Sequence, residues 1–322
     1  MITSRTPFRV SFAGGGTDLR AFYQHEFGAV TGTAIDKYIF ITVSKRFDET
    51  IRASYSKTEI VDKVSQIQHP IIREAMILTG VTSGVEITSI ADLPASTGVG
   101  SSSSFTVGLL NALYAYKGEY KSPEALAKEA CHIEIDILGE PIGKQDQYLA
   151  AYGGLQHIQF NADETVFVNP VICLEETKAK LNENLLLFYT GMTRKASVVL
   201  SEQTKNTDAK IGYLREMKKL SLVMMNNLIK GDLDNFGELL HREWMRKKKI
   251  ASCISNAIIN SYYARGIEAG ASGGKLLGAG GGGFLLFFCA PENRSKLRNA
   301  LDLKEVPFAL EPQGSKIIYV CQ

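Results

Sequence analysis

The apolar positions change their period along the chain, and the changes predict its elements. Residues 9–13 and 38–43 are apolar, β-branched or aromatic and predict strands; residues 85–90 alternate and predict a third. Residues 105–116 are apolar all round, the pattern of a buried helix. Residues 123–138 predict another helix, with Ser122 as N-cap and Pro123 at the first helical position, where a missing N–H is tolerated. Gly153-Gly154 turns the chain into a strand at Leu155–Phe160, and residues 161–164 (Asn-Ala-Asp-Glu) predict a hairpin turn.

The second half changes character. Leu185–Tyr189 predicts a strand, and helices dominate from Ala196 to about Glu268. Ile211, Leu214, Met217, Leu220, Met224 and Leu228 recur at helical spacing on one face, which marks core. Strands return at Phe284–Cys289 and Lys316–Val320. Strands and helices alternate without regular βαβ units. The expected class is α+β with two domains, 1–180 and 181–322, joined near residues 178–183.

Composition narrows the partners. The chain has 322 residues with 36 basic and 34 acidic side chains. That balance argues against nucleic acid, whose phosphate backbone demands a basic excess, but leaves small phosphorylated ligands open. Cys131, Cys173, Cys253, Cys289 and Cys321 form no C-x-x-C pair, so structural zinc is not expected. Most sit in apolar company and predict buried free thiols, as in a reducing compartment. The N-terminus has no apolar run of signal length, and the longest apolar run, residues 284–290, is too short to span a bilayer. A cytoplasmic protein with no membrane partner is the expectation.

The 29 glycines carry the chemistry, because Gly14–Gly16, Gly98, Gly100, Gly273, Gly274, Gly278 and Gly280–Gly283 gather in three segments. In the first, a strand runs into Gly14-Gly15-Gly16-Thr17-Asp18. The glycines permit close backbone approach to a ligand, and Asp18 can accept from sugar hydroxyls; a plain strand-to-loop turn is the alternative. In the second, Gly98-Val-Gly100 and four serines lead directly into a helix. Unpaired N-terminal amides, the helix dipole and serine hydroxyls make a phosphate cradle, without the Lys-Ser/Thr ending of a Walker loop. In the third, Gly278, Gly280 and Gly283 match G-x-G-x-x-G, but Phe-Leu-Leu-Phe-Phe follows, a strand where a dinucleotide fold needs a helix. It is expected as a loop between a helix and a core strand, packed on a ligand or on another loop.

Between these clusters lie Glu134 and Asp146. Phosphoryl transfer needs a carboxylate and a hydroxyl for magnesium, and gains from a carboxylate near the attacking hydroxyl. Both residues can fill those roles, or be solvated helix-end charges; Asp136 lies on another face. Arg242 and Arg246 to Lys249 predict a solvated helix face from which one lysine can reach a cleft. His132 and Trp244 read as structural.

The three clusters in this order resemble the motifs of the GHMP kinases, centrally in Pro94-x-x-x-Gly98-Val99-Gly100-Ser101-Ser102, and the resemblance covers essentially the whole chain. It implies a ribosomal protein S5 domain 2-like N-terminal domain, a ferredoxin-like C-terminal domain and a site in the cleft between them. It implies ATP as co-substrate, its phosphates on Pro94, Ala95, Ser96, Thr97, Gly98, Val99, Gly100, Ser101, Ser102, Ser103 and Ser104. It implies Mg2+ on Glu134 and Ser102 (or Ser101), Asp146 as the base and Arg9 as the stabiliser of charge at the reacting hydroxyl. Thr17-Asp18 matches the sugar-holding pair of galactokinases, with Gly15, Gly16, Gln145, Gly280 and Gly281 beside it. Galactokinases place Gly-Glu-His before that pair where this chain has Gly14-Gly15-Gly16, so galactose is not the expected acceptor.

The segments 5–18, 143–147 and 274–284 look like the subgroup that phosphorylates the anomeric hydroxyl of D-glycero-D-manno-heptose 7-phosphate. That implies a cation for the 7-phosphate, with Arg20 and Arg194 (beside Lys195) as candidates. The expected partners are a sugar phosphate and ATP, acting on a monomer or homodimer. A kinase for a fucose- or galactose-like sugar, or a silent sugar- and nucleotide-binding sensor, are the alternatives.

Overall fold

The computed structural model describes residues 1–193 and 196–321. Arg194, a candidate for the acceptor phosphate, lies outside the described residues, as does Lys195. Two long strands, Ile2–Ala13 and Gly28–Lys45, pair antiparallel from Ile2 opposite Val43 to Ala13 opposite Thr31. The second strand changes its other partner halfway. Its start, Gly28 to Thr33, pairs with Leu155–Phe160, and Ile39 to Lys45 pairs with Val85–Ala91. Only the later half alternates in burial; residues 28–35 are buried on both faces, so no period-2 signal marks them in the sequence. Ile51–Ser54 and Thr58–Val61 extend one side of the sheet, and Val166–Pro170 pairs with Leu155–Phe160. The hairpin expected at 161–164 joins those last two strands.

The chain ends in this first sheet. Lys316–Val320 pairs with Ile2 to Arg5, so the last strand of the segment 181–322 belongs to the sheet of the N-terminal unit. Its apolar residues identify it as a strand, and nothing local in them selects which sheet edge it joins.

The second sheet has the order Lys304–Glu305, Leu185–Tyr189, Phe284–Cys289, Ala271–Leu276, all antiparallel, in keeping with a ferredoxin-like unit. Ala271–Leu276 corrects the expectation for the third glycine cluster, which lies between two strands and not between a helix and a strand. Gly273 and Gly274 in mid-strand hide it from β-propensity.

The helix Thr207–Lys230 presents the expected stripe to both cores. Leu214 and Met217 belong to the buried cluster that holds Trp244 and Phe287, while Leu220, Met224 and Leu228 belong to the one that holds Phe12 and Phe236. Phe236 touches Phe12 edge-on at 5.3 Å between centroids and Phe288 at 5.2 Å. Apolar contact therefore fixes the two walls of the cleft against each other. Cys131 and Cys289 are buried free thiols as expected, whereas Cys173 and Cys253 are half-buried and Cys321 is exposed. No helix among the described residues is long and apolar enough to cross a membrane.

Candidate active site

The helix Ser101–Tyr116 begins after Gly100, whose φ of 77° is left-handed, and no side chain caps its N-terminal amides. Its first amides and partial positive charge are left for an anion. Ser96, Gly98, Gly100, Ser101, Ser102 and Ser103 line a cleft. Other members of the segment fix the loop. Thr97 Oγ1 donates to Pro94 O at 2.8 Å, Ser104 Oγ donates to Pro7 O at 2.8 Å, and Val99 is buried in the core. Pro94 and Ala95 form an exposed shoulder outside the cleft lining.

The third glycine cluster is the facing wall, through Leu277, Gly278, Ala279, Gly280 and Gly282. A Cβ on Gly278 would lie 2.3 Å from Gly98 Cα, and one on Gly98 would lie 2.6 Å from Leu277 O. The two motifs thus interlock backbone to backbone, which answers whether this loop packs on another. Gly281, expected at the acceptor, is outside the lining, and its N–H donates to Ile254 O at 2.9 Å.

Arg9 joins the cradle to the start of the helix Gln145–Tyr152. Its Nε and Nη2 donate to Asp146 Oδ1 and Oδ2, each at 2.7 Å, and its Nη1 donates to Gly98 O at 2.7 Å. The guanidinium is buried while Asp146 faces the cleft. Such a fork fixes the plane of the carboxylate as well as its position.

Glu134 sits in a π-helical turn, His132–Ile137, that ends the expected long helix at Cys131. The turn buries Glu134, whose Oε1 accepts from Ser102 Oγ at 2.6 Å and whose Oε2 accepts from Gln147 Nε2 at 2.8 Å. Burial pushes its carboxyl from 4.5 up to about 7, against the opposing pull of those hydrogen bonds. Asp136, on another face, pairs with His132 at 3.0 Å, which is exposed and not part of any core.

Of the residues expected to hold the acceptor, Gly15, Gly16, Asp18 and Gln145 line the cleft. Asp18 Oδ1 accepts from Gly16 N at 2.8 Å and Oδ2 from Gln145 N at 3.2 Å, so one carboxylate ties the glycine loop to the Asp146 helix. Burial raises its carboxyl and these amides oppose the shift. Thr17 is structural; its hydroxyl donates toward Gly14 O at 2.8 Å, with Ala29 O at 3.0 Å as the alternative acceptor, and accepts from Ala29 N at 3.0 Å. Arg20 does not line the cleft. Its guanidinium is held by Glu164 Oε1 at 2.9 and 2.8 Å, beside a separate pocket.

Sequence reasoning missed a buried charged group behind the first glycine cluster. Lys275 Nζ donates to Phe12 O at 2.8 Å and lies 3.7 Å from Glu243 Oε1, which accepts from Gly14 N at 3.1 Å. Burial raises Glu243 and lowers Lys275, and their mutual attraction opposes both shifts. Lys247, one turn beyond Glu243, is the lysine of the basic run that reaches the cleft; it donates to Gly278 O, and burial lowers it to about 7. The available signal was Lys275 standing within the third glycine segment, between Gly274 and Gly278. Ser11 and Gln203 also line the cleft and carried no motif.

Comparison with known proteins agrees with this architecture. The family model described as GHMP kinases N terminal domain matches residues 64–154, and that described as GHMP kinases C terminal matches residues 224–305. The chain is 30% identical over 321 residues to the D-glycero-alpha-D-manno-heptose 7-phosphate kinase of Campylobacter jejuni, with 93% of each covered. A D-glycero-D-manno-heptose 1-phosphate kinase structure from Bacteroides thetaiotaomicron matches at a TM-score of 0.84 over 100% of both chains and 23% identity. The galactokinase of Lactococcus lactis, solved with galactose, matches at 0.78 over 98% of this chain and 94% of its own, at 16% identity. These last two likenesses are of fold. The chain belongs to the GHMP kinases. It is a phosphotransferase with an alcohol group as acceptor, of a family that takes ATP as co-substrate.

Proposed function

We propose that the chain transfers the γ-phosphoryl of ATP to the anomeric hydroxyl of D-glycero-D-manno-heptose 7-phosphate, giving the 1,7-bisphosphate. The observation that carries the chemistry is the Arg9–Asp146 fork, which stands between the uncapped cradle at Gly98 and the acceptor loop at Asp18. The heptose rests on the Campylobacter relative, which acts on that sugar phosphate by name. The charged set suits catalysis more than silent binding, since Asp146 and Arg9 line one cleft and Glu134 lies buried behind its Ser102.

In this reading the ATP phosphates lie on the N-terminal amides of Ser101–Tyr116 and the lining serines. Asp146 accepts or orients the proton of the attacking hydroxyl, and Arg9 holds Asp146 in place and offsets charge developing there. Because phosphoryl transfer needs little base strength, orientation by a fully paired carboxylate is sufficient. Asp18 accepts from an acceptor hydroxyl.

The residues fit a divalent cation. Ser102 Oγ and the Glu134 carboxylate are hard oxygen donors 2.6 Å apart, and Gln147 Oε1 is buried beside them without a partner. Ser102 and Glu134 would hold Mg2+, which when bound would neutralise charge on the nucleotide phosphates. No group of three or more His, Cys, Asp or Glu that could hold a metal occurs among the described residues.

The test is ADP release with heptose 7-phosphate, followed by phosphorus NMR of the product. An anomeric phosphate signal beside the original ester is expected. Turnover restricted to unphosphorylated heptose, fucose or galactose overturns the acceptor, and no ADP release with any sugar or phosphosugar revives the sensor reading.

A further inference from the structure

Three residues that line the cleft each carry a buried side-chain atom without a hydrogen-bond partner: Ser11 Oγ, Gln145 Oε1 and Gln203 Nε2. The three side chains converge on the loop Gly15–Gly16. A Cβ on Gly15 would lie 3.6 Å from Gln145 Nε2 and 3.8 Å from Ser11 Oγ. One on Gly16, whose φ is 101°, would lie 2.1 Å from Gln203 Nε2. Glycine at 16 is therefore what lets the Gln203 amide close over the loop.

The three come from both sides of the cleft. Ser11 is on the strand Ile2–Ala13 and Gln145 opens the helix Gln145–Tyr152, whereas Gln203 is on Ala196–Lys205, in the chain that follows the second sheet's first strand. Gln203 is only 2% exposed. A buried amide donor left unpaired is costly, so each such group in a folded protein calls for an explanation. Here the chemistry of the set supplies one. Gln203 Nε2 donates, Gln145 Oε1 accepts and Ser11 Oγ does either. A mixed, uncharged set matches hydroxyl groups, each of which both donates and accepts. It mismatches a phosphate, which only accepts.

We propose that Ser11, Gln145 and Gln203 form the polyol subsite of the acceptor, in which Gln203 donates to one sugar hydroxyl from across the cleft and sets acceptor specificity. This rests on the reading of the cleft as a sugar kinase site, and adds Ser11 and Gln203 to the residues that recognise the sugar. The acceptor's phosphate then lies away from this set.

The experiment compares wild type with Gln203→Leu and Gln203→Glu. The second variant keeps the shape but removes the donor. Calorimetric binding and steady-state kinetics are measured with heptose 7-phosphate, its single-deoxy analogues, and fucose and galactose. Both variants should lower kcat/KM for the acceptor by roughly 10- to 100-fold, with KM for ATP within about twofold of wild type. One deoxy analogue should lose nothing further in Gln203→Leu, because its missing hydroxyl is the partner. Acceptor binding within about twofold of wild type in both variants overturns the subsite while leaving the kinase reading intact. If wild type prefers a different sugar, the heptose reading fails alone and the same comparison on that sugar decides the subsite. A wild type that binds no sugar in the panel overturns both. Far-ultraviolet circular dichroism and melting temperature confirm that each variant is folded.

Discussion

Arg9 and Asp146, 137 residues apart in sequence, are joined by two parallel hydrogen bonds of 2.7 Å. The fork is half of a longer connection, because the third nitrogen of Arg9 holds Gly98 O in the phosphate cradle. One buried guanidinium thereby sets the distance between the Gly98 loop and the Asp146 carboxylate. Asp146→Asn should lower kcat by ~100-fold or more with ATP affinity kept, the scale of a lost acid–base group. Arg9→Lys keeps the charge but loses the planar fork. It should lower kcat comparably and also cost stability, since a buried lysine cannot serve Gly98 and both carboxylate oxygens in one geometry. Wild-type turnover in Asp146→Asn, read by ADP release, removes Asp146 from the reaction.

Glu134 makes stability depend on pH. Burial raises its carboxyl from 4.5 to about 7, so between those values the folded chain holds a proton that the unfolded chain has released. The contribution is complete below about 4.5 and is lost as pH rises through about 7. At most it is on the order of 3 kcal/mol for a carboxyl moved that far. Glu134→Gln mimics the protonated form at every pH. Wild type should therefore lose stability relative to Glu134→Gln between pH 4.5 and 7 in nucleotide-free protein, measured by urea unfolding. A difference constant with pH would refute the assignment. In activity the order reverses: Glu134→Gln should need roughly tenfold more Mg2+, as expected where one ligand of a bound ion is weakened.

Much of the fold was legible because its strands and helices carry strong periodicity. The stripe from Leu214 to Leu228 identified core without any structure, and the residues 185–189 and 284–289 mark themselves by continuous apolar runs. What stayed hidden had no local signal. Ala271–Leu276 is a strand made of small and polar residues, and its place is set by the neighbouring strand Phe284–Cys289. The cleft divides the same way. Ser102, Asp146 and Asp18 lie in motif segments, and Glu134 was placed only by the family resemblance. Gln203, Ser11, Lys275 and Glu243 did not stand out, since a buried polar residue is recognised by its missing or distant partner, which only the folded chain reveals.

Arg20 stands close to the acceptor loop in sequence, yet Glu164 draws its side chain outward. Glu164 also takes a hydrogen bond from Tyr23 at 2.9 Å and an ion pair from Lys144. The Arg20 pair is exposed, where such contacts contribute at most about 1 kcal/mol. Arg20→Ala should therefore change KM for a phosphorylated acceptor by less than about threefold. A rise of tenfold or more, confined to phosphorylated sugars in a panel with and without the phosphate, would show that this arginine swings into the cleft on binding.

The interlock of Gly98 and Gly278 should be the least tolerant point of the cleft wall. Both have left-handed φ, 84° and 71°, and a Cβ on Gly278 would meet backbone at 2.3 Å. A flexible side chain could move aside from such a contact; a main-chain atom in a loop that cradles phosphate cannot. Gly278→Ala should cost ~2 kcal/mol or more, combining conformational strain with the clash. Gly118→Ala is the control, because Gly118 has a φ of 78° with nothing within 4 Å of its Cβ position, so it measures the strain alone. Gly278→Ala should also raise KM for ATP, as the wedge parts Gly98 from Leu277 and carries the cradle with it. Melting temperatures of the two variants that coincide, together with an unchanged ATP KM, would mean that the two loops separate freely and that the interlock does not shape the nucleotide site.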